Sequence, residues 1–124
     1  MRHSKTVAVW NAVVAGATET DGAAIDTDLY CRASFQLTTT GGTTNGTLKV
    51  QYSNDIPPST FPVTSWTPTN WSDLEVNGML VSKTFTAAGT GGLHVPIFCA
   101  RWLRAVWTTG VAANTITLNA QLNG

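Results

Sequence analysis

Proton transfer, nucleophilic attack and metal binding need histidine, cysteine or carboxylate side chains brought together, and this chain has few of them. His3 and His94 are its two histidines. A metal centre would need Asp26 or Asp28 to converge on His94. No spacing requires that, so His94 is expected to be an ordinary strand histidine and no metal is expected. Asp26-x-Asp28 looks like half of a calcium loop, but Leu29, Tyr30 and Arg32 follow where further oxygen ligands belong. Turn carboxylates accepting backbone N–H groups explain the pair more simply. Ser53-Asn54-Asp55 is too short for an active-site signature and has no Lys or His partner placed by sequence; it reads as an Asx-type turn. Asp73 and Glu75 alternate with Leu74 and Val76, as a pair of carboxylates on one face would. A glycosidase would need a cleft and one raised pKa around them, and the residues supply neither argument. Cys31 and Cys99 are far apart, form no CxxC and have no adjacent histidine; a disulfide would need their strands to meet, and the expectation is two buried free thiols in a reduced compartment. No catalytic residue and no cofactor is assigned, and the chain is not expected to be an enzyme.

The aromatic and arginine residues are the stronger candidates. Residues 56–70, IPPSTFPVTSWTPTN, hold four of the five prolines, with Phe61 and Trp66 among them and Trp71 immediately after. Proline lacks an N–H and fixes φ, so this segment is neither helix nor central strand. A loop of this length in a small domain usually carries function, and its stiffness leaves little ordering entropy to lose on binding. Trp66 and Trp71 either anchor the loop or dock a partner. Arg104 shares a strand face with Trp102 and Val106, so its charge is paired within the chain or across a subunit boundary. Pro57, Pro58, Phe61, Trp66, Trp71 and Arg104 are the candidate partner interface. Trp10, Trp102 and Trp107 fall in strand patterns and are expected in the core.

The elements that must position these groups are strands, because apolar residues recur with period 2 and not 3.6. A first strand runs through residues 6–14, with Ala8, Trp10 and Ala12 on one face. Residues 15–22 read as a turn and 23–26 as a short strand. Residues 30–39 put Cys31, Ala33, Phe35 and Leu37 inward, and after a TGGTTNG turn residues 47–53 put Leu48, Val50 and Tyr52 inward. Residues 71–76 form a short strand or turn, 80–87 a strand, 88–92 a glycine-rich closure, and 93–98 an edge strand containing Pro96. Residues 100–108 are apolar on both faces, which marks a central strand covered on both sides or one whose outer face meets an interface. Residues 115–122 alternate again. The expected fold is therefore all-β: a single domain over residues 1–124, a β-sandwich or jelly roll of seven to nine short, mostly antiparallel strands.

Composition narrows the function classes. Only 11% of the 124 residues are charged, and seven Lys/Arg balance seven Asp/Glu. Nucleic-acid binding leaves a basic footprint, and there is none. The basic start, apolar stretch and Ala15-Gly16-Ala17 imitate a signal peptide, but Asn11 interrupts the stretch, so it reads as a strand and not a secretion signal. No stretch approaches transmembrane length, so no membrane partner is expected. Asn45-Gly46-Thr47 and Asn70-Trp71-Ser72 match the glycosylation pattern, as chance allows in a chain rich in Asn and Thr. A surface of Thr, Ser, Asn and Gly suits a protein packed against neighbours.

One order of features is familiar. Gln51-Tyr52-Ser53-Asn54-Asp55 leads into the proline loop, Asn70-Trp71-Ser72-Asp73-Leu74 follows, and Arg101-Trp102-Leu103-Arg104-Ala105-Val106-Trp107 comes after a glycine-punctuated middle. From about Tyr30 to Leu122 the chain resembles small β-sandwich virion proteins of tailed bacteriophages. The resemblance implies an accessory component with no catalytic residues: a capsid decoration or cement protein, often a β-rich homotrimer, whose partner is the major capsid protein or another virion protein. It further implies a place in the virion, assembled in the bacterial host cytoplasm. Two alternatives stand beside it, a tail, fibre or vertex component and a lectin-like module whose tryptophans stack on sugar rings.

Overall fold

The alternating pattern is realised as strands throughout a computed structural model that describes residues 3–15, 19–41, 45–58, 66–95, 98–109 and 114–124. Twelve strands appear among the described residues, more than the seven to nine expected: β1 (Ser4–Val14), β2 (Glu19–Asp21), β3 (Ile25–Asp26), β4 (Arg32–Thr40), β5 (Gly46–Ser53), β6 (Ser72–Asp73), β7 (Glu75–Val76), β8 (Met79–Leu80), β9 (Ser82–Phe85), β10 (Gly89–Val95), β11 (Trp102–Thr109) and β12 (Thr115–Asn123). The excess comes from two- and three-residue pieces. The all-β sandwich itself is as the periodicity implies.

Two sheets carry the fold. One has the order β1-β12-β4-β10; the other runs β2-β11-β5-β6, with β3 also on β11 and β9 also on β5. Every pairing among the described residues is antiparallel. The chain crosses repeatedly between the sheets, so neighbours within a sheet are distant in sequence. Between the sheets lie Phe35, Leu37, Ile116, Leu118 and Leu122 from the first and Leu48, Val50, Leu103, Ala105 and Trp107 from the second, each 1% exposed or less. Burying a side chain of Leu or Phe size contributes about 1.5–3 kcal/mol, so this double row dominates the stability.

Several local expectations change. Residues 19–21, expected in a turn, pair with β11 as β2. The glycine-rich segment after Ala88 is not a closure but the body of β10, paired with β4. Gly91 is needed there because a Cβ would strike the Phe85 ring. The expected 80–87 strand is split into β8 and β9, and the Asn77-Gly78 turn before it, at φ 54° and 76°, folds β7 on β8. In β1 the register slips between Ala8 and Trp10 and again between Trp10 and Val13, with Ala12 at φ 52°, so its simple alternation fails while Trp10 still reaches the core.

Three further corrections concern side chains. Cys31 and Cys99 are exposed, not buried, and both are free. Cys31 directly precedes β4, and its carbonyl accepts the Phe98 N–H at 2.9 Å. Trp102 is half-buried on the outer face of β11 and not in the core, whereas Trp107 is fully buried. Tyr52 packs against the core as expected but is only half-buried near the end of β5.

Candidate functional site

β11 pairs with β5 so that Arg104 faces Gln51, and β2 lies on its other side. Side chains on the outer face of this sheet therefore meet across strands. Arg104 Nε donates to Gln51 Oε1 at 2.8 Å, and its Nη1 is 3.4 Å from Asp21. Gln51 Nε2 donates to Asp73 Oδ1 at 2.9 Å, and Lys49 is 3.1 Å from the same oxygen. The Gln51 and Lys49 contacts hold the Asp73 carboxyl below the ordinary range. At the far end, the hydrogen bond with Asp21 raises Glu19, with burial and the Asp21 charge acting the same way. One network thus spans β2, β11, β5 and β6, and it settles Arg104 as a residue paired within its own chain.

The described end of the proline loop, residues 66–70 with Trp71, lies against this network. The chain leaves β5 at Ser53, whose Oγ accepts the Asp55 N–H at 3.1 Å, while Asn54 Oδ1 accepts the Arg101 N–H at 3.1 Å. Asp55 then closes the loop: its Oδ2 accepts the N–H groups of Thr69 (2.8 Å) and Asn70 (2.9 Å), and its Oδ1 accepts Asn70 Nδ2 at 3.1 Å. Donation from Asn70 and Thr69 holds the Asp55 carboxyl below its ordinary value. The turn expected at residues 53–55 as an Asx turn is made by the Ser53 hydroxyl instead, since Asn54 Oδ1 is taken by the Arg101 N–H, and Asp55 serves as the clasp of the loop.

The tryptophans fasten the loop to the sheet. Trp71 lies over Arg104, with 4.6 Å between guanidinium carbon and ring centroid, and its Nε1 donates to the carbonyl of the buried Pro68 at 3.3 Å. Trp66 meets Trp102 at 5.6 Å between centroids and a 57° tilt. Trp102 Nε1 donates to the Asp55 carbonyl at 3.1 Å, and Arg101 packs 5.1 Å from its ring. Both tryptophans therefore anchor the loop while staying half-exposed. What the arrangement presents outward is the stretch after the clasp: Ile56 is 87% exposed, Pro57 half-buried and Pro58 exposed. Phe61 lies outside the described residues.

The other chemical candidates are placed apart. Asp26 and Asp28 are both bridged by Arg101, at 3.6 and 2.9 Å, and Asp26 Oδ1 accepts the Asp28 N–H at 3.0 Å, so they act as turn carboxylates. His94 is exposed on β10 opposite Ser34. Asp73 is engaged by Lys49 and Gln51, while Glu75 sits in the separate β7–β8 hairpin. Among the described residues no three His, Cys, Asp or Glu side chains are grouped to hold a metal, and no helix is long and apolar enough to cross a membrane. Sequence reasoning missed Asp55 as the clasp and Gln51 as the relay between Arg104 and Asp73. The clasp had a signal, the expected turn opening a long loop; the relay had none, because it depends on strand register.

No family model matches the chain, and no curated protein matches it. Solved structures do share the fold. PirA superposes with a TM-score of 0.54 at 15% identity, covering 95% of this chain and 90% of its own. A protein of Bacillus endospore appendages, described as a novel family of disulfide-linked pili, superposes at 0.56 and 18% identity over 99% of this chain and 86% of its own. The SPBc2 prophage-derived protein YomS superposes at 0.50 and 9% identity over 100% of this chain and 96% of its own. At these identities the likeness establishes the sandwich and nothing finer.

Proposed function

We propose that this chain is a structural subunit of a tailed-bacteriophage virion, specifically a capsid decoration protein that bridges and stabilises neighbouring major capsid subunits. The observation that carries the reading is the clasped loop. Asp55 closes its base, Trp66 and Trp71 fasten it to β11, and Ile56 and Pro58 are left facing solvent on a stiff support. A pre-ordered apolar contact of this kind binds with little entropy left to lose. The sequence resemblance supports the virion setting. So does the company of the fold, which includes a prophage-derived protein and a subunit of assembled pili.

We also infer that the sandwich is a jelly roll. Grouping β2 with β3 and β6 through β9 leaves eight strand positions, and the two sheets take them in the orders 1-8-3-6 and 2-7-4-5, the order of two Greek keys. In this reading the chain forms a homotrimer on the head surface after assembly in the host cytoplasm. Its three loops then bind only the assembled lattice, and that preference stabilises the shell by mass action. No reaction is assigned to it.

The test is particle binding. Ile56→Asp is expected to lower occupancy on capsids by at least about tenfold while leaving the circular dichroism and melting temperature unchanged, as a charge placed in a buried apolar contact does. Full occupancy by the variant would remove the loop from the account. The lectin-like alternative rests on the half-exposed Trp66, Trp71 and Trp102. The 57° tilt between Trp66 and Trp102 keeps those two rings from forming one flat platform, and arginines pack on Trp71 and Trp102, which favours the protein contact. Saturable glycan binding abolished by Trp71→Ala would reverse that preference.

A further inference from the structure

We infer that the outer edge of β10 is an interface between two copies of this chain, joined by antiparallel strand pairing about a two-fold axis. An edge strand offers a row of unpaired N–H and C=O groups, and proteins blunt such edges with charge, bulges, proline or brevity. The other edges here are blunted. β1 carries Lys5 and two breaks in register. β2 and β3 are three and two residues long and carry Glu19, Asp21 and Asp26. β6 and β9 are two and four residues long and carry Asp73 and Lys83.

Within Gly89–Val95 β10 has none of these devices, and Pro96, which follows it, lies outside the described residues. Its seven residues, Gly89–Val95, contain no Asp, Glu, Lys or Arg and pair with β4 at all seven positions without a break. Among the described residues no strand pairs with its other side. The charges beside it stand on other strands: Lys83 on β9, whose stem reaches the inner side of Gly91 and whose ammonium sits 6.0 Å from the Phe85 ring centroid, and Arg32 on β4, which shares a cleft with His94.

Gly92 gives an independent reason. Gly91 must be glycine because Phe85 fills the space of a Cβ, but a Cβ on Gly92 would make only an ordinary 3.6 Å contact with the Phe35 carbonyl. Nothing among the described residues requires glycine there. A glycine in mid-strand also marks a place where another backbone comes close.

The occupant is a second copy because self-pairing is what an uncharged edge permits. Antiparallel pairing about a two-fold axis sets a strand against itself, so any charge near the axis meets its own kind. Glu19, Asp21 and Asp73 forbid that on their strands, and β10 does not. A register centred on Gly92 sets Gly91 against Leu93 and Thr90 against His94, small beside large, and joins the two four-stranded sheets into one continuous sheet.

The test compares the wild type with Gly92→Lys by sedimentation or light scattering at the highest soluble concentration. The wild type is expected to have twice the mass of the 13.1 kDa chain, or six times it where the two-fold joins two of the proposed trimers, and the variant half that mass with unchanged circular dichroism. In a Cys31→Ser, Cys99→Ser background, Gly92→Cys is expected to form a disulfide-linked dimer with oxidised glutathione, while Thr90→Cys is not. In that step the introduced thiolate of one copy attacks the glutathione disulfide and releases a glutathione thiolate. The introduced thiolate of the second copy then attacks the mixed disulfide, forms the S–S bond between the copies and releases the other glutathione thiolate. A monomeric wild type, a mass unchanged by Gly92→Lys, or equal cross-linking at positions 90 and 92 would each overturn the inference.

Discussion

The guanidinium of Arg104 is held on two sides at once: Trp71 lies over it at 4.6 Å, and Gln51 Oε1 accepts its Nε–H at 2.8 Å in the sheet below. The end of the proline loop is therefore coupled to the hydrogen-bond network of β11 and β5. A double-mutant cycle over Trp71→Ala and Arg104→Ala is expected to show a coupling energy of about 0.5–1 kcal/mol, the range for a partly exposed cation–π pair. Additive effects in denaturant unfolding would mean that the stacking contributes nothing.

The clasp at Asp55 makes the loop sensitive to acid. Its carboxyl is held below the ordinary aspartate value of about 3.9 by N–H groups of Asn70 and Thr69 that favour the ionised form. A depressed folded-state pKa contributes stability that is fully present above the unfolded value and is lost as pH falls through the folded one. Trp66 and Trp102 should therefore change their fluorescence on acidification below about pH 4. Asp55→Ala should show the acid-like spectrum already at neutral pH and be cleaved faster within the loop. A spectrum identical to wild type across that range would show that the clasp does not hold the loop.

Gly46 stands where β5 begins, and a Cβ there would fall onto the Trp107 ring and lie 2.7 Å from the Thr108 carbonyl. Neither neighbour has room to yield, since Trp107 is fully buried and Thr108 is in the paired β11. Gly46→Ala is expected to destabilise the fold by about 1–3 kcal/mol, the usual cost of overpacking a tight core, as read by thermal or urea unfolding.

Exposure of Cys31 and Cys99 predicts that both thiols react with a disulfide reagent in the folded protein, at rates close to those after denaturation. Two thiols that appear only on unfolding would restore the buried placement expected from composition.

The strand rows show how far the residues alone carry. Ala33, Phe35 and Leu37 face the core as their period-2 spacing implies, and so do Leu103, Ala105 and Trp107, because side-chain direction alternates along any strand. Glycine content misled at β10, since a close-packed strand and a turn call for the same residue for different reasons. Asn77-Gly78, with both residues at positive φ, is a hairpin signal carried by the local sequence itself.

The loop divides the same way. Proline density and the turn at Ser53–Asp55 marked residues 56–70 as a stiff connection with a defined start, because those are properties of the local backbone. Which groups it would meet is not local. Asp55 finds Asn70 fifteen positions on, Trp102 reaches Asp55 from 47 positions away, and Arg104 meets Gln51 only because β11 and β5 pair in one register. So all-β class, core rows and the existence of the loop were determined by the sequence through short-range sterics and hydrophobic alternation. That the loop is clasped onto the sheet by Trp66 and Trp71 was decided only by tertiary structure, because strand register chooses which distant side chains share a face.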